Sequence, residues 1–179
     1  MIHDAAYYTQ AYLPDGQDPI AVGDVQIFSF SKTYGISGLR IGYAVCYTEQ
    51  YYKDIVDFME TTTAGVSTAS QAIAMEIEKY FLDNPMAMYS FYEKARLALT
   101  RSRLVLRELD PEVLQISDVE SNSMFAWLKI GPKLDNKAAK VHILPGELFG
   151  KPGYMRMNIA QPVEIISSAV RRLNEHKKQ

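Results

Sequence analysis

The chain has 179 residues, 47% of them hydrophobic and 22% charged, with a formal net charge of -2, so neither nucleic acid nor an anionic membrane is an expected partner. One cysteine, Cys46, excludes an intrachain disulfide framework, and with only three scattered histidines it leaves no cysteine zinc site and no expected metal. The single cysteine favours a reducing cytoplasm, no apolar run approaches the ~20 residues of a membrane span, and the polar start MIHDAAYYTQ does not read as a signal peptide.

Residues 24–30, DVQIFSF, alternate as a strand, and residues 39–46, LRIGYAVC, read as a second strand apolar enough to be buried on both faces. A helix is expected from Glu49 to about Thr61. Another begins at Thr68, where Thr68 and Gln71 have capping-box spacing, and places Ile73, Ile77, Tyr80 and Phe81 on one face until Asn84 and Pro85 end it. Pro85 suits the first turn of a long helix with an apolar stripe of Met88, Tyr92, Ala95, Leu99, Leu106 and Leu109, running to Pro111. Unbroken, it spans roughly 37 Å, enough to link two domains. Arg96, Arg101, Arg103 and Arg107 read as its solvated face. Strands follow at about 112–117, 123–130, 141–144 and 153–159, with a short helix over 134–140. A terminal amphipathic helix starts at Pro162 with Ile165, Ile166, Ala169, Val170 and Leu173 on one side. There is no internal repeat and no low-complexity segment.

The most specific chemistry lies in SFSKTYGISGLRIGY, Ser29 to Tyr43. Lys32 sits at a strand-to-loop junction, with Ser29 and Ser31 before it and Arg40 eight residues after. An amine that forms a Schiff base must be held still and be partly unprotonated, while hydroxyls and a guanidinium can hold a dianion close by. Gly35, Gly38 and Gly42 are read as allowing tight turns and close backbone approach. Taken alone, Lys32 could be a solvated lysine in a turn, and Asp4 could simply end a strand. Tyr7 lies beside Tyr8 and Tyr12, where packing is the ordinary role of a tyrosine. Arg156, in YMRMNIA, is either a buried charge needing a partner or an edge residue facing water.

The spacing SxSKxxGxxGxRxGY resembles the lysine motif of the class I/II aminotransferases, the fold-type-I enzymes that use pyridoxal 5'-phosphate (PLP). Two further segments match in order, DAAY at Asp4 to Tyr7 and LPGELFGKPGYMRMNIAQP at Leu144 to Pro162. The resemblance implies an α/β chain: the carboxy-terminal part of the PLP-binding large domain over 1–84, a long linking helix over 85–110, and an α+β small domain over 111–179. It implies that Lys32 carries PLP as a Schiff base and shuttles the alpha proton. Asp4 would face the pyridine nitrogen, and Tyr7 would donate to the phenolic oxygen. Ser29, Ser31 and Arg40 would bind the phosphate, and Arg156 the substrate carboxylate.

Members of that family carry a whole amino-terminal half before the Asp-x-x-Tyr motif, with a glycine loop for the phosphate, an aromatic that stacks on PLP and an asparagine near its phenolic oxygen. Met1 then stands as an internal residue of a longer parent or as an added or alternative start. From Trp127 to Pro145 the small domain is also more compact than the family pattern, which bears on how Arg156 is brought to a substrate. The function implied is transamination between an amino acid and a 2-oxo acid by a homodimeric parent, the isolated chain being inactive. The loop TTTAGVST, Thr61 to Thr68, is the candidate for reaching the partner's cofactor phosphate. A beta-lyase or synthase of the same fold, an aminotransferase-like domain of a transcription regulator, and a non-catalytic fragment are the alternatives.

Overall fold

Two separate sheets organise the protein, seen in a computed structural model that describes residues 1–7, 23–117 and 123–178. The chain divides into two compact units, Met1–Tyr92 and Glu93–Gln179.

In the first unit, β1 (Ile2–Asp4) lies parallel to β2 (Val25–Ser29), with Asp4 opposite Ile27. β3 (Gly42–Cys46) runs antiparallel on the other side of β2, with Gly42 opposite Ser29. A single helical turn, α1 (Phe30–Thr33), leaves β2 directly, and a 3-10 turn, Ser37–Leu39, leads into β3. The apolar run from Leu39 therefore starts as a turn and becomes strand only at Gly42. The double-sided burial expected of it is absent, since Gly42, Tyr43, Ala44 and Val45 are all exposed. A strand is buried on both faces only when layers cover both, and β3 is the edge of this three-stranded sheet.

Helix α2 (Glu49–Thr62) is capped by Thr48, whose hydroxyl oxygen accepts from the Tyr51 N–H at 3.3 Å. Helix α3 (Thr68–Asp83) has Ser67 at its N-cap position, not Thr68, and the expected capping box does not form. The Gln71 amide donates instead to the Val66 carbonyl at 2.9 Å. Asn84 ends α3, and α4 (Pro85–Val105) begins at once.

The second unit is built on a four-stranded antiparallel sheet in the order β4 (Leu114–Ile116), β5 (Phe125–Ile130), β7 (Tyr154–Asn158), β6 (Leu144–Pro145). Strand alternation puts Ala126 and Leu128 of β5 with Met155 and Met157 of β7 into the core, where Leu106, Val113, Leu114 and Ile159 join them. Helix α5 (Val163–Glu175) covers it with Ile166, Val170 and Leu173. Ile165, expected on that stripe, is exposed, because adjacent helical positions point about 100° apart.

Four further expectations are corrected in this unit and the helix that leads into it. Arg103 is not on a solvated face: it is 4% exposed and donates through Nη2 to the carbonyls of Ser123 and Phe125, each at 2.7 Å. The segment 134–140 forms turns and no helix, tied by Ala138 N–H to Asp135 Oδ1 at 2.9 Å and broken by Lys140 at a φ of 50°. The strand expected at 141–144 is reduced to Leu144–Pro145. Helix α4 itself stops at Val105, and a 3-10 turn, Leu106–Glu108, completes the path towards Pro111.

Candidate active site

Parallel pairing of β1 with β2 brings their carboxyl ends to one edge of the sheet, and antiparallel β3 begins at that same edge. Asp4 ends β1, Ser29 ends β2, Lys32 is in the turn that follows, and Arg40 is two residues before β3. The register alone therefore gathers a carboxylate, a hydroxyl, an amine and a guanidinium. The carboxyl end of parallel strands is where open α/β sheets place their ligands.

Lys32 is exposed, and its Nζ stands 5.6 Å from the centre of the Tyr7 ring. Asp4 is also exposed, with one carboxylate oxygen accepting the Ala6 N–H at 3.0 Å. Tyr8 and Tyr12, the competitors of Tyr7, lie outside the described residues. Ser29 is the half-buried N-cap residue of α1, and Ser31, also half-buried, is inside that turn. Arg40 adopts a left-handed backbone with φ of 50°, exposes its side chain and donates from Nη1 to the Ser37 carbonyl at 3.0 Å. Such a conformation costs a non-glycine residue roughly 1–2 kcal/mol, and backbone strain of this kind clusters at functional sites.

The glycines divide by need. Gly35 sits at φ 74°, and a Cβ on Gly42 would come within 2.4 Å of the Phe28 carbonyl oxygen, so both positions require glycine. Gly38 meets neither condition, contrary to the sequence expectation.

Arg156 belongs to the second unit, on β7 between β5 and β6, so it is not on an edge strand. Its guanidinium carbon lies 4.3 Å from the Phe125 ring centre and 3.6 Å from that of Phe149. Its Nε is buried, and among the described residues nothing accepts from it. Two rings against the guanidinium faces leave the in-plane donors for a planar acceptor such as a carboxylate. Sequence reasoning singled out Arg156 but missed Phe125 and Phe149. Their approach comes from cross-strand register, Trp127 facing Arg156, and from the 3-10 turn Gly146–Phe149.

The donor set of the first unit fits a phosphate-bearing aldehyde, with an accessible amine, a carboxylate for a ring nitrogen, a phenol, and hydroxyls with a guanidinium for the phosphate. Comparison with known proteins agrees. The family model Alliinase_C, described as Allinase, matches residues 1–141. A protein named "Probable aspartate/prephenate aminotransferase" from Aquifex aeolicus is 30% identical over 160 residues, which are 82% of this chain and 39% of that one. The solved aromatic aminotransferase of Pyrococcus horikoshii superposes with a TM-score of 0.80 at 24% identity, over 97% of this chain and 50% of that one. A Thermus thermophilus aspartate aminotransferase double mutant gives 0.79 at 25% identity, over 97% and 47%. The chain thus spans half or less of the length of these proteins. It belongs to the Allinase family, and its fold is that of the carboxy-terminal part of a fold-type-I PLP-dependent transferase.

Proposed function

We propose that this chain is the lysine-bearing part of a PLP-dependent aminotransferase that moves an amino group between an amino acid and a 2-oxo acid. The observation that carries the reading is the collection of Asp4, Ser29, Lys32 and Arg40 at one end of a sheet whose parallel pair demands it. Bound PLP supplies an electron sink for the electrons released when a substrate alpha proton leaves. Lys32 Nζ is the amine that takes and returns that proton. Asp4 offers its carboxylate to the protonated ring nitrogen, and Tyr7 offers its hydroxyl to the phenolic oxygen. Ser29, Ser31 and Arg40 hold the phosphate, Arg40 through a charge-assisted fork. Arg156 takes the alpha-carboxylate in its plane, its orientation set by Phe125 and Phe149.

Within this reading, residues 1–84 belong to the cofactor-binding large domain, 85–110 to the linking helix and 111–179 to the small domain. The working protein is a cytoplasmic homodimer, with the stretch Thr61 to Thr68, where exposed Ala64 and Gly65 have positive φ, reaching towards the second copy's cofactor phosphate. No described helix is long and apolar enough to cross a membrane.

The test is a transamination assay on the longest polypeptide carrying these residues, with PLP, a panel of amino acids and 2-oxoglutarate. Amino transfer that disappears in Lys32→Ala supports the proposal. Retained turnover in Lys32→Ala overturns it, and ammonia release without amino transfer identifies a lyase.

A further inference from the structure

The turn that bears Lys32 is too short to hold itself. One turn of helix fixes three residues for one hydrogen bond, which is unfavourable in isolation. In α1 that bond is Tyr34 N–H to the Phe30 carbonyl at 2.9 Å, and Gly35 then leaves in a left-handed conformation. Both ends of the turn are anchored elsewhere in the first unit. Phe30 is 7% exposed and packs edge-on against Tyr43, with ring centres 6.0 Å apart. Tyr34 stacks on Phe81 of α3 at 5.6 Å and 19°, and tilts against Phe91 of α4 at 6.1 Å. Its hydroxyl donates to Glu78 Oε1 at 2.8 Å, a contact 44 residues away in sequence. Burial first, then bonding with Tyr92 and Glu78, pushes the Tyr34 phenol well above its ordinary range, so it remains a donor at any working pH.

We propose that Tyr34 and Glu78 are positioning residues for Lys32, clamping the one-turn helix onto α3 and α4 so that the amine stays beside Tyr7. The consequence for catalysis rests on Lys32 being the reactive amine proposed above. The clamp itself does not, and it can be measured with no cofactor present. The Tyr7 ring, 5.6 Å from Nζ, stands on one side of the amine and limits a reagent's approach from there while the turn is held. Releasing the turn should therefore make Lys32 react faster.

The experiment is sub-stoichiometric acetylation of the 179-residue chain with acetic anhydride, followed by peptide mass spectrometry. The rate at Lys32 is read relative to Lys53 and Lys94. Tyr34→Phe keeps the stacked ring and removes the donor, and Glu78→Ala removes the acceptor. Each should raise the relative Lys32 rate at least about threefold, since the hydrogen bond that ties the turn to α3 is lost. Glu78→Gln keeps a carbonyl acceptor and should return the wild-type ratio, which a general loss of packing would not do. Were Tyr34→Phe to unfold the chain, the two Glu78 variants carry the same comparison. An unchanged ratio in Glu78→Ala, or a Glu78→Gln ratio equal to that of Glu78→Ala, overturns the proposal. A result of either kind leaves the cofactor assignment to its own test.

Discussion

The two units treat apolar surface in opposite ways. The second encloses a contiguous cluster from Leu99 through Leu128 and Met157 to Leu173, several members fully inaccessible. The first buries only Ala5, Val25, Phe30 and Ala74 among its described apolar residues, while Phe58, Met75, Leu82 and Met86 are each more than 60% exposed. Helix α2 has no buried residue at all. A small sheet-and-helix unit with its own core is a folded domain in the ordinary sense, whereas a unit that leaves an edge strand and several large side chains in water offers surface for association. The groups proposed to carry the chemistry sit in the second kind of unit, apart from Arg156. Chemistry is thus assigned to the part whose own packing is weakest, which is why the clamp at Tyr34 matters there.

Cavity formation gives the largest expected contrast. Leu128→Ala, at a fully buried position, should cost about 3 kcal/mol in urea unfolding, and Phe58→Ala, at 66% exposure, less than about 0.5 kcal/mol. Comparable losses at the two positions would break the comparison.

Arg103→Met should cost about 2 kcal/mol, because the Ser123 and Phe125 carbonyls lose a charged donor in a buried place. Exposed Arg101→Met, on the same helix, should stay within about 0.5 kcal/mol. Chemical denaturation of the pair separates a buried strut from a solvated charge.

At the exposed edge, the 179-residue chain should associate in sedimentation velocity as concentration rises. Val45→Lys, on β3, should shift it towards the monomer, since a lysine on an edge strand opposes strand addition. A chain that remains monomeric at all concentrations would show that the first unit covers its own edge.

The smallest effect is electrostatic and belongs to the second unit. The Lys177 ammonium bonded to Asp110, followed by the Glu112 N–H, holds that carboxyl below its usual value. A depressed folded pKa contributes stability above the unfolded value, about 3.9, and loses it as pH falls through the folded one. Asp110→Asn should therefore flatten the fall of Tm below about pH 4 and lower Tm slightly at neutral pH.

Much of the candidate site was legible because its motif is local. Ser29, Lys32, Gly35, Arg40 and Gly42 lie within fourteen residues, and short spacing survives any arrangement of the rest. The hydrogen-bonded register of β1, β2 and β3 then needed only strand directions. What escaped were long-range relations. Nothing near Arg103 announces carbonyls twenty residues on, and nothing near Tyr34 announces Glu78. Likewise LRIGYAVC has the composition of a buried strand, yet its burial depends on layers that the described residues do not supply.

The central claim is that Lys32 is the amine that holds the cofactor. It is tested most directly by adding PLP to the longest polypeptide that carries these residues, reducing with borohydride and mapping the peptides by mass spectrometry. The account predicts the cofactor-derived mass on the peptide containing Lys32 and its loss in Lys32→Ala. A folded, cofactor-bound protein with that mass on another lysine, or on none, would contradict it.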